Sequence, residues 1–440
     1  MALVTEAAPV EPSFDVDKLS YEIFSILEAK FLFGYDDPKL YVDGSALASA
    51  TPAAKLNPGK KSAGKVRILS IDAGGPTDGL LAAKSLAFLE ESLRRSSGLQ
   101  DACIADFFDL AAGSGSGGVL AALLFTKGED GRGRPLFSAA EALKFLVENH
   151  RQFSRQKLVR RLFRRPKVSV DRVLRKVFSE QTLRDTLKPL LIPCYDLSTA
   201  GAFVFSRADA METDSFDFKM REVCLATYAD PTAVGAVEMK SVDGQTKIAA
   251  VDGGIAMSNP TAAAITHVLN NKQEFPFTNG VEDLMVVSLG NGDASPGVYG
   301  SRIVTPAPRD FVRIAGEGVS DMVDQSVSMA FGQSWSGNYV RIQGNRFGNR
   351  KSPVQNGSKS SSTKLLLEAA DEMLKQQNVE SLLFRGKKIS EKTNKEKLNW
   401  FADELVKEKE KRKSRIYPTV ALKQATPRSS SATLSSCSSN

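Results

Sequence analysis

Short apolar runs that end in glycine recur through the middle of the chain, and each is followed by apolar residues at helical spacing. "VRILSID" (66–72) runs into glycines and then into "GLLAAKSLAFLEESL". "DFFDLAAG" leads through a Gly/Ser cluster to "VLAALLF", "TKIAAVDGG" leads to "NPTAAAITHVL", and "DLMVVSLGNG" supplies a further run. A short uninterrupted apolar run bounded by turn residues marks a strand buried on both faces, and the helical period after it marks a helix packed over that strand. Strands alternating with helices in this way predict an α/β architecture with a mostly parallel sheet covered on both faces.

The texture differs at both ends. Residues 1–65 read as a helix, "SYEIFSILEAKFLFG", followed by a Pro/Gly/Ala/Lys linker. The α/β core is expected over 66–300, and a largely helical extension containing "EKTNKEKLNWFADELVKEKEKRKSR" over 301–415. The serine-rich 416–440 has the composition of a disordered tail. At 440 residues, 42% hydrophobic and 25% charged, the chain has room for one large domain with extensions, and it is neither fibrous nor a coil.

The four cysteines, Cys103, Cys194, Cys224 and Cys437, are far apart, with no C-x-x-C pair and no histidine at ligand spacing. That argues against a disulfide framework and a metal site, so no cofactor is expected and a reducing compartment fits. The N-terminus carries acids and prolines where a signal peptide needs a basic start and an apolar run. The most apolar stretch, Leu110 to Phe125, is broken by glycines and falls short of the about 20 residues of a membrane span. The expected location is cytoplasmic, at most peripheral at the plasma membrane.

Charge adds one local feature to a net +7: residues 151–177 hold eleven Lys or Arg against one acid, Asp171. Phe153, Leu158, Leu162 and Phe163 interleave with them at roughly helical spacing, the pattern of a helix lying on an anionic bilayer, with Arg160, Arg161, Arg164 and Arg165 as contacts. A solvated basic face over a packed apolar side fits equally well. No nucleic-acid module accompanies the charge, and nothing points to a protein partner.

Three strand-to-helix junctions carry the candidate chemistry. In Asp72-Ala73-Gly74-Gly75-Pro76-Thr77-Asp78-Gly79 the glycines allow backbone N–H groups to face an anion at a helix start, although a plain tight turn reads the same. The Lys-Ser/Thr of a P-loop is missing. The second junction is Gly113-Ser114-Gly115-Ser116-Gly117-Gly118. A G-x-S-x-G elbow sets its nucleophile at the third position, and here that position is Gly115. At the third, Asp252 ends an apolar strand before Gly253-Gly254, which places a carboxylate at the ligand-binding edge of a parallel sheet, or simply makes a turn or helix cap. The only histidines, His150 and His267, lie in no motif that would supply the base of a Ser-His-Asp triad and read as structural.

Together, in this order, "LSIDAGGPTDGLLAAKSLAFLE", "FFDLAAGSGSGGVLAALL", "CLATYADPTAV" and "AAVDGGIAMSNPTAAAI" resemble the patatin-like phospholipase family over roughly residues 66 to 300. The resemblance implies a three-layer α/β/α fold and hydrolysis of lipid acyl esters by a Ser-Asp dyad beside a glycine oxyanion loop. Carried over by position, the oxyanion role falls on Gly74 and Gly75, the nucleophile on Gly115 and the general base on Asp252. The sequence departs from the family at the elbow serine, at Ala73, and at Pro76-Thr77-Asp78, which stands where a basic residue is usual. A G-x-G-x-G elbow is similar to the third group of plant patatin-like proteins. Ser114 and Ser116 flank the vacant position and are candidate surrogates. The expected function is a lipolytic acyl hydrolase of membrane glycerolipids, phospholipids and galactolipids, slowed by the missing serine. The alternative is an inactive lipid-binding or regulatory pseudoenzyme.

Overall fold

Strand β1 (Val66–Ile71) is buried along its whole length, and its side chains alternate between two cores: Val66 and Ile68 enter one cluster, Leu69 and Ile71 the other. An unbroken apolar run is what a strand needs when helices cover both faces of its sheet. The computed structural model describes residues 64–129, 131–153, 166–230, 235–292, 308–332, 334–344, 361–382, 386–415 and 418–423, all within the unit Lys61–Asn440.

The other strands of the main sheet are β2 (Leu110–Gly113), β3 (Leu190–Asp196), β4 (Gly201–Ser206), β5 (Val237–Lys240), β6 (Lys247–Val251), β7 (Leu284–Leu289) and β8 (Tyr339–Ile342). Their order is β5-β6-β3-β2-β1-β7-β8, with β4 also paired to β3. From β3 through β8 along this order the strands are parallel, while β4 and β6 pair antiparallel with β3, and β5 with β6. The mostly parallel sheet is therefore present, with an antiparallel flank that the apolar runs did not announce. Edge strand β5 alternates buried and exposed residues, a pattern too short to stand out in sequence. A separate two-stranded sheet is made by β9 (Gln377–Leu382) and β10 (Gly386–Thr393).

The helices are α1 (Leu80–Ser97), α2 (Ser116–Phe125), α3 (Ala139–Phe153), α4 (Pro166–Phe178), α5 (Arg207–Glu212), α6 (Met220–Tyr228), α7 (Gly253–Ala256), α8 (Thr261–Asn270), α9 (Pro308–Phe331), α10 (Ser361–Lys375) and α11 (Asn394–Lys413). Apolar residues of α1, α2, α3, α4, α6, α10 and α11 share the cluster that contains Leu69 and Ile71; those of α8 and α9 share the cluster with Val66 and Ile68. The result is a three-layer α/β/α fold. The charged helix of the extension starts at Asn394, three residues later than its periodicity suggested. Thr393 and Glu396 form a capping box there, and the residues before it belong to β10.

Arg160, Arg161, Arg164 and Arg165 lie outside the described residues. On either side of them, Phe153 is in the core, and Val170, Leu174 and Phe178 of α4 are buried while Arg172, Arg175 and Lys176 are exposed. Among the described residues no helix is long and apolar enough to cross a membrane.

Residues 301–415 do more than decorate the core, since β8 completes the sheet and α11 packs along α1. The far end of α11 is fastened by charge. Asp109 accepts hydrogen bonds from Arg67 Nη2 (3.0 Å) and from Arg412 Nη2 (2.7 Å), all three side chains being largely buried. Burial alone would raise the Asp109 carboxyl, but the Arg67 and Arg412 guanidiniums outweigh it and hold it well below the usual carboxylate range. Asp109→Asn, which strands two guanidiniums, is expected to cost about 3–5 kcal/mol at neutral pH. A depressed folded-state value means the contribution is full above the unfolded carboxylate value of about 3.9 and fades below it. Urea midpoints of the two proteins should therefore lie far apart at about pH 7 and begin to draw together only as the pH falls below about 3.9.

Candidate functional site

Strand β2 stops at Gly113 and helix α2 begins at Ser116, so the turn between them is Ser114-Gly115. Gly115 has φ +54° and ψ −124°, a conformation that strains any residue with a Cβ. The turn is held by the Gly115 N–H, which donates to Thr227 Oγ1 (3.0 Å), and by the Ser114 N–H, which donates to the Ile71 carbonyl (3.1 Å). A Cβ on Gly117 would strike the carbonyls of Ile71 and Asp72, so α2 can press against the end of β1 only with glycine there. An elbow is thus built in full around a position that has no side chain.

The two flanking serines face different walls. A Cβ on Gly253 would lie 3.0 Å from Ser114 Oγ, whereas Cβ atoms on Gly79 and Gly74 would lie 2.6 and 3.4 Å from Ser116 Oγ. Ser114 therefore faces the Asp252 loop and Ser116 the glycine loop. They are 0% and 2% exposed, and among the described residues neither hydroxyl has a hydrogen-bond partner.

The glycine loop is pinned from the end of β7. Asn291 Nδ2 donates to the carbonyls of Asp72 (3.0 Å) and Ala73 (3.1 Å), its Oδ1 accepts from the Ala82 N–H (3.2 Å), and its carbonyl accepts from Thr77 Oγ1 (2.9 Å). Pro76 falls in the first turn of a short 3-10 helix, Gly75–Thr77, where a missing N–H is tolerated. Among the described residues no group accepts from the N–H of Gly74 or Gly75. Asp78, with φ +50°, turns its carboxylate to His150, whose Nε2 lies 3.5 Å from Asp78 Oδ2 and whose Nδ1 lies 3.4 Å from Thr363 Oγ1 of α10. His150 thus buttresses this loop from α3, a role no motif suggested. His267 sits elsewhere, lining a shallow cavity of about 650 Å³ with Leu191, Asp209 and Lys423 near the start of β3, where burial lowers its pKa.

Asp252 follows β6 and caps the short α7, its Oδ1 accepting from the Gly254 N–H at 2.9 Å, so the cap reading of this residue is part of its geometry. The same loop reaches the other two junctions. Gly253 adjoins Ser114, a Cβ on Gly254 would lie 3.1 Å from Ala73 Cβ, and the Ala73 N–H donates to the Ser258 carbonyl (3.0 Å). Gly74, Gly75, Gly115, Ser114, Ser116 and Asp252 consequently belong to loops that pack on one another at the carboxyl ends of β1, β2 and β6.

Beneath them lies a buried ion pair. Arg341 of β8 donates from Nη2 to Asp72 Oδ2 (2.6 Å) and from Nη1 to Asp72 Oδ1 (3.0 Å) and Ser288 Oγ (2.7 Å), while Ser320 Oγ of α9 donates to Asp72 Oδ2 (3.1 Å). Burial pushes the Asp72 carboxyl up, against the pull of Arg341, and burial also disfavours the Arg341 charge, which Asp72 more than restores. Arg341, Asn291 and Thr227 are supports that the sequence reading missed. For Arg341 a signal existed: a cation inside the short apolar run "YVRI".

A family model described as patatin-like phospholipase matches residues 69–265. Patatin-like protein 7 of Arabidopsis thaliana is 51% identical over 95% of this chain and 86% of its own length, and patatin-like protein 6 of the same plant is 49% identical over 96% and 90%. The chain belongs to the patatin-like phospholipase family. Also similar is the probable inactive patatin-like protein 9 of Arabidopsis thaliana, 41% identical over 89% of this chain and 93% of its own length. Membership supports lipid acyl hydrolysis at the level of the family, here in a patatin-like protein with glycine at its elbow.

Replacing Arg341 by Met should strand a buried carboxylate and cost about 3–5 kcal/mol in urea unfolding. Arg341→Lys should recover only part of that loss, because an ammonium cannot reproduce the two-pronged contact.

Proposed function

We propose that this patatin-like protein is a slow acyl hydrolase of membrane phospholipids and galactolipids in which a water molecule takes the place of the missing serine. The observation that carries this reading is the strained elbow turn kept at Gly115, with the Asp252 loop and the glycine loop packed against its two flanks. Ser114 and Ser116 are buried against those walls, which favours water over either hydroxyl as the nucleophile. In this scheme Asp252 takes a proton as the water oxygen bonds to the acyl carbon, and the Gly74 and Gly75 amides stabilise the oxyanion. The ester C–O bond then breaks, and the leaving alkoxide receives the proton from Asp252. Loss of a serine nucleophile costs up to about a million-fold, while an oxyanion site and binding alone retain roughly 10³ to 10⁴ over water, so slow turnover is consistent with this arrangement.

A second reading, an inactive lipid-binding pseudoenzyme, is favoured by Gly115 itself and by the likeness to a relative named probable inactive.

Fatty-acid release from phosphatidylcholine and from a galactolipid by the purified protein decides between them. Activity should fall at least about tenfold in Asp252→Asn and stay near the parent value in Ser114→Ala and Ser116→Ala. Loss in Ser116→Ala with covalent fluorophosphonate labelling of the parent would make Ser116 the nucleophile instead. Gly115→Ser should raise the rate on a short activated ester at least about tenfold and take up the fluorophosphonate, at a stability cost of about 1–3 kcal/mol for the strained φ. A folded Gly115→Ser protein that neither labels nor gains rate, from a parent without activity, would establish the pseudoenzyme.

A further inference from the structure

The two amides of the glycine loop are aimed by different supports. A trans peptide is planar, so an N–H points opposite to the carbonyl that precedes it in the chain, and whatever holds that carbonyl sets the direction of the N–H. No cis bond occurs among the described residues. The Gly74 N–H shares its plane with the Ala73 carbonyl, which accepts from Asn291 Nδ2 (3.1 Å). The Gly75 N–H shares its plane with the Gly74 carbonyl, which accepts from the Gly79 N–H (3.0 Å), and the Asp78 N–H closes the same turn on the Gly75 carbonyl (3.3 Å). Gly74 is therefore aimed from the end of β7, and Gly75 from the far end of its own loop. That far end depends on α3. Asp78 has φ +50° and ψ +34°, a left-handed conformation uncommon for a residue with a side chain. Its Oδ2 lies 3.5 Å from His150 Nε2, both side chains being largely buried, and His150 Nδ1 lies 3.4 Å from Thr363 Oγ1. One turn earlier on α3, Leu146 Cδ1 is 3.7 Å from the place that a Cβ on Gly79 would take. The imidazole is thus set between α10 and Asp78, and α3 meets both residues of the turn.

We propose that His150 and Asp78 are a positioning pair for the oxyanion. The imidazole holds Asp78 in its left-handed turn, and the turn, through the Gly79 N–H and the Gly74 carbonyl, keeps the Gly75 N–H aimed at the oxygen of the attacked acyl group. This rests on the hydrolase reading, since an oxyanion forms only where an ester is attacked. Neither side chain acts on the ester itself. An oxyanion donor is used where charge develops in the transition state, so misaiming it lowers the turnover number and leaves substrate binding nearly unchanged. The pair is coupled as well: once either partner is removed, the other has nothing left to hold.

The test compares the full chain with His150→Phe, His150→Gln, Asp78→Ala, Asp78→Asn and the control His267→Gln, the other histidine, which lines the cavity near the start of β3. Thermal unfolding verifies that each protein is folded. On a short soluble ester, His150→Phe and Asp78→Ala should each lower kcat at least about tenfold with KM within about twofold of the parent. His150→Gln, whose amide still donates to the carboxylate, and Asp78→Asn, which takes the left-handed turn readily and still accepts, should keep most of the rate. His150→Phe combined with Asp78→Ala should lose no more than either alone. Hydrogen exchange across residues 72–82 gives a reading that needs no activity: it should quicken at least about tenfold in His150→Phe and Asp78→Ala and hold in His267→Gln. Unchanged exchange in both would overturn the proposal. So would a loss carried by KM alone, or additive losses in the double variant. Quickened exchange in these variants of a parent without esterase activity would sink the hydrolase reading and leave the clamp on the loop. Esterase activity in the parent that folded His150→Phe and Asp78→Ala retain in full would sink only the positioning pair.

Discussion

The buried contact between Arg341 and Asp72 is the constraint on which the site is organised. Asp72 is the first residue beyond β1 and therefore the anchor of the glycine loop, and its carboxylate is removed from water. A buried carboxylate is costly unless met by charge and hydrogen bonds, and here the charge comes from β8 and a further donor from α9. Three elements remote in sequence are thereby fixed around the start of one loop. The polar cluster of Ser70, Ser288 and Thr261 just below continues the same economy, with the Thr261 hydroxyl within 3.0 Å of both serines.

Around that anchor the site is defined by close backbone approach more than by reactive side chains. Gly117 lets α2 meet β1, Gly115 supplies the sharp turn, and Asn291 closes the loop by bonding to main-chain carbonyls at its start. Such a scaffold stands without a hydroxyl at the elbow, where the backbone of Gly115 suits glycine better than serine. This explains how the elbow position can lack a serine while the surrounding geometry stays in register, and why the two flanking hydroxyls, set by the turn to face the walls, do not fall into the vacant place.

Much of this was legible in the sequence because it is local. The central strands are runs such as "VRILSID" and "DLMVVSLG", buried on both faces, and each junction combines a strand end with glycines and a following helix. The antiparallel flank was not legible. β5 has four residues, and β3 contains Pro193 within a run that pairs both with its hairpin neighbour β4 and with β6 far away in the chain. The positions of Ser114 and Ser116 were open for a different reason, since the direction of a side chain at a strained turn follows from φ and ψ and not from the residue pattern. His150 looked structural because its partner, Asp78, is 72 residues earlier and no spacing rule links them.

The place of β8 has a consequence for what counts as the smallest self-sufficient piece of this molecule. The region matched by the family model, 69–265, stops before β7, which pairs with β1, and before β8, which pairs with β7. A chain ended there would turn β1, an interior strand buried along its whole length, into an open edge, a template for pairing with other chains. The autonomous unit is therefore larger than the stretch in which the three strand-to-helix junctions lie. Its limit is drawn by sheet closure, well into the segment that composition alone marks as an appendage.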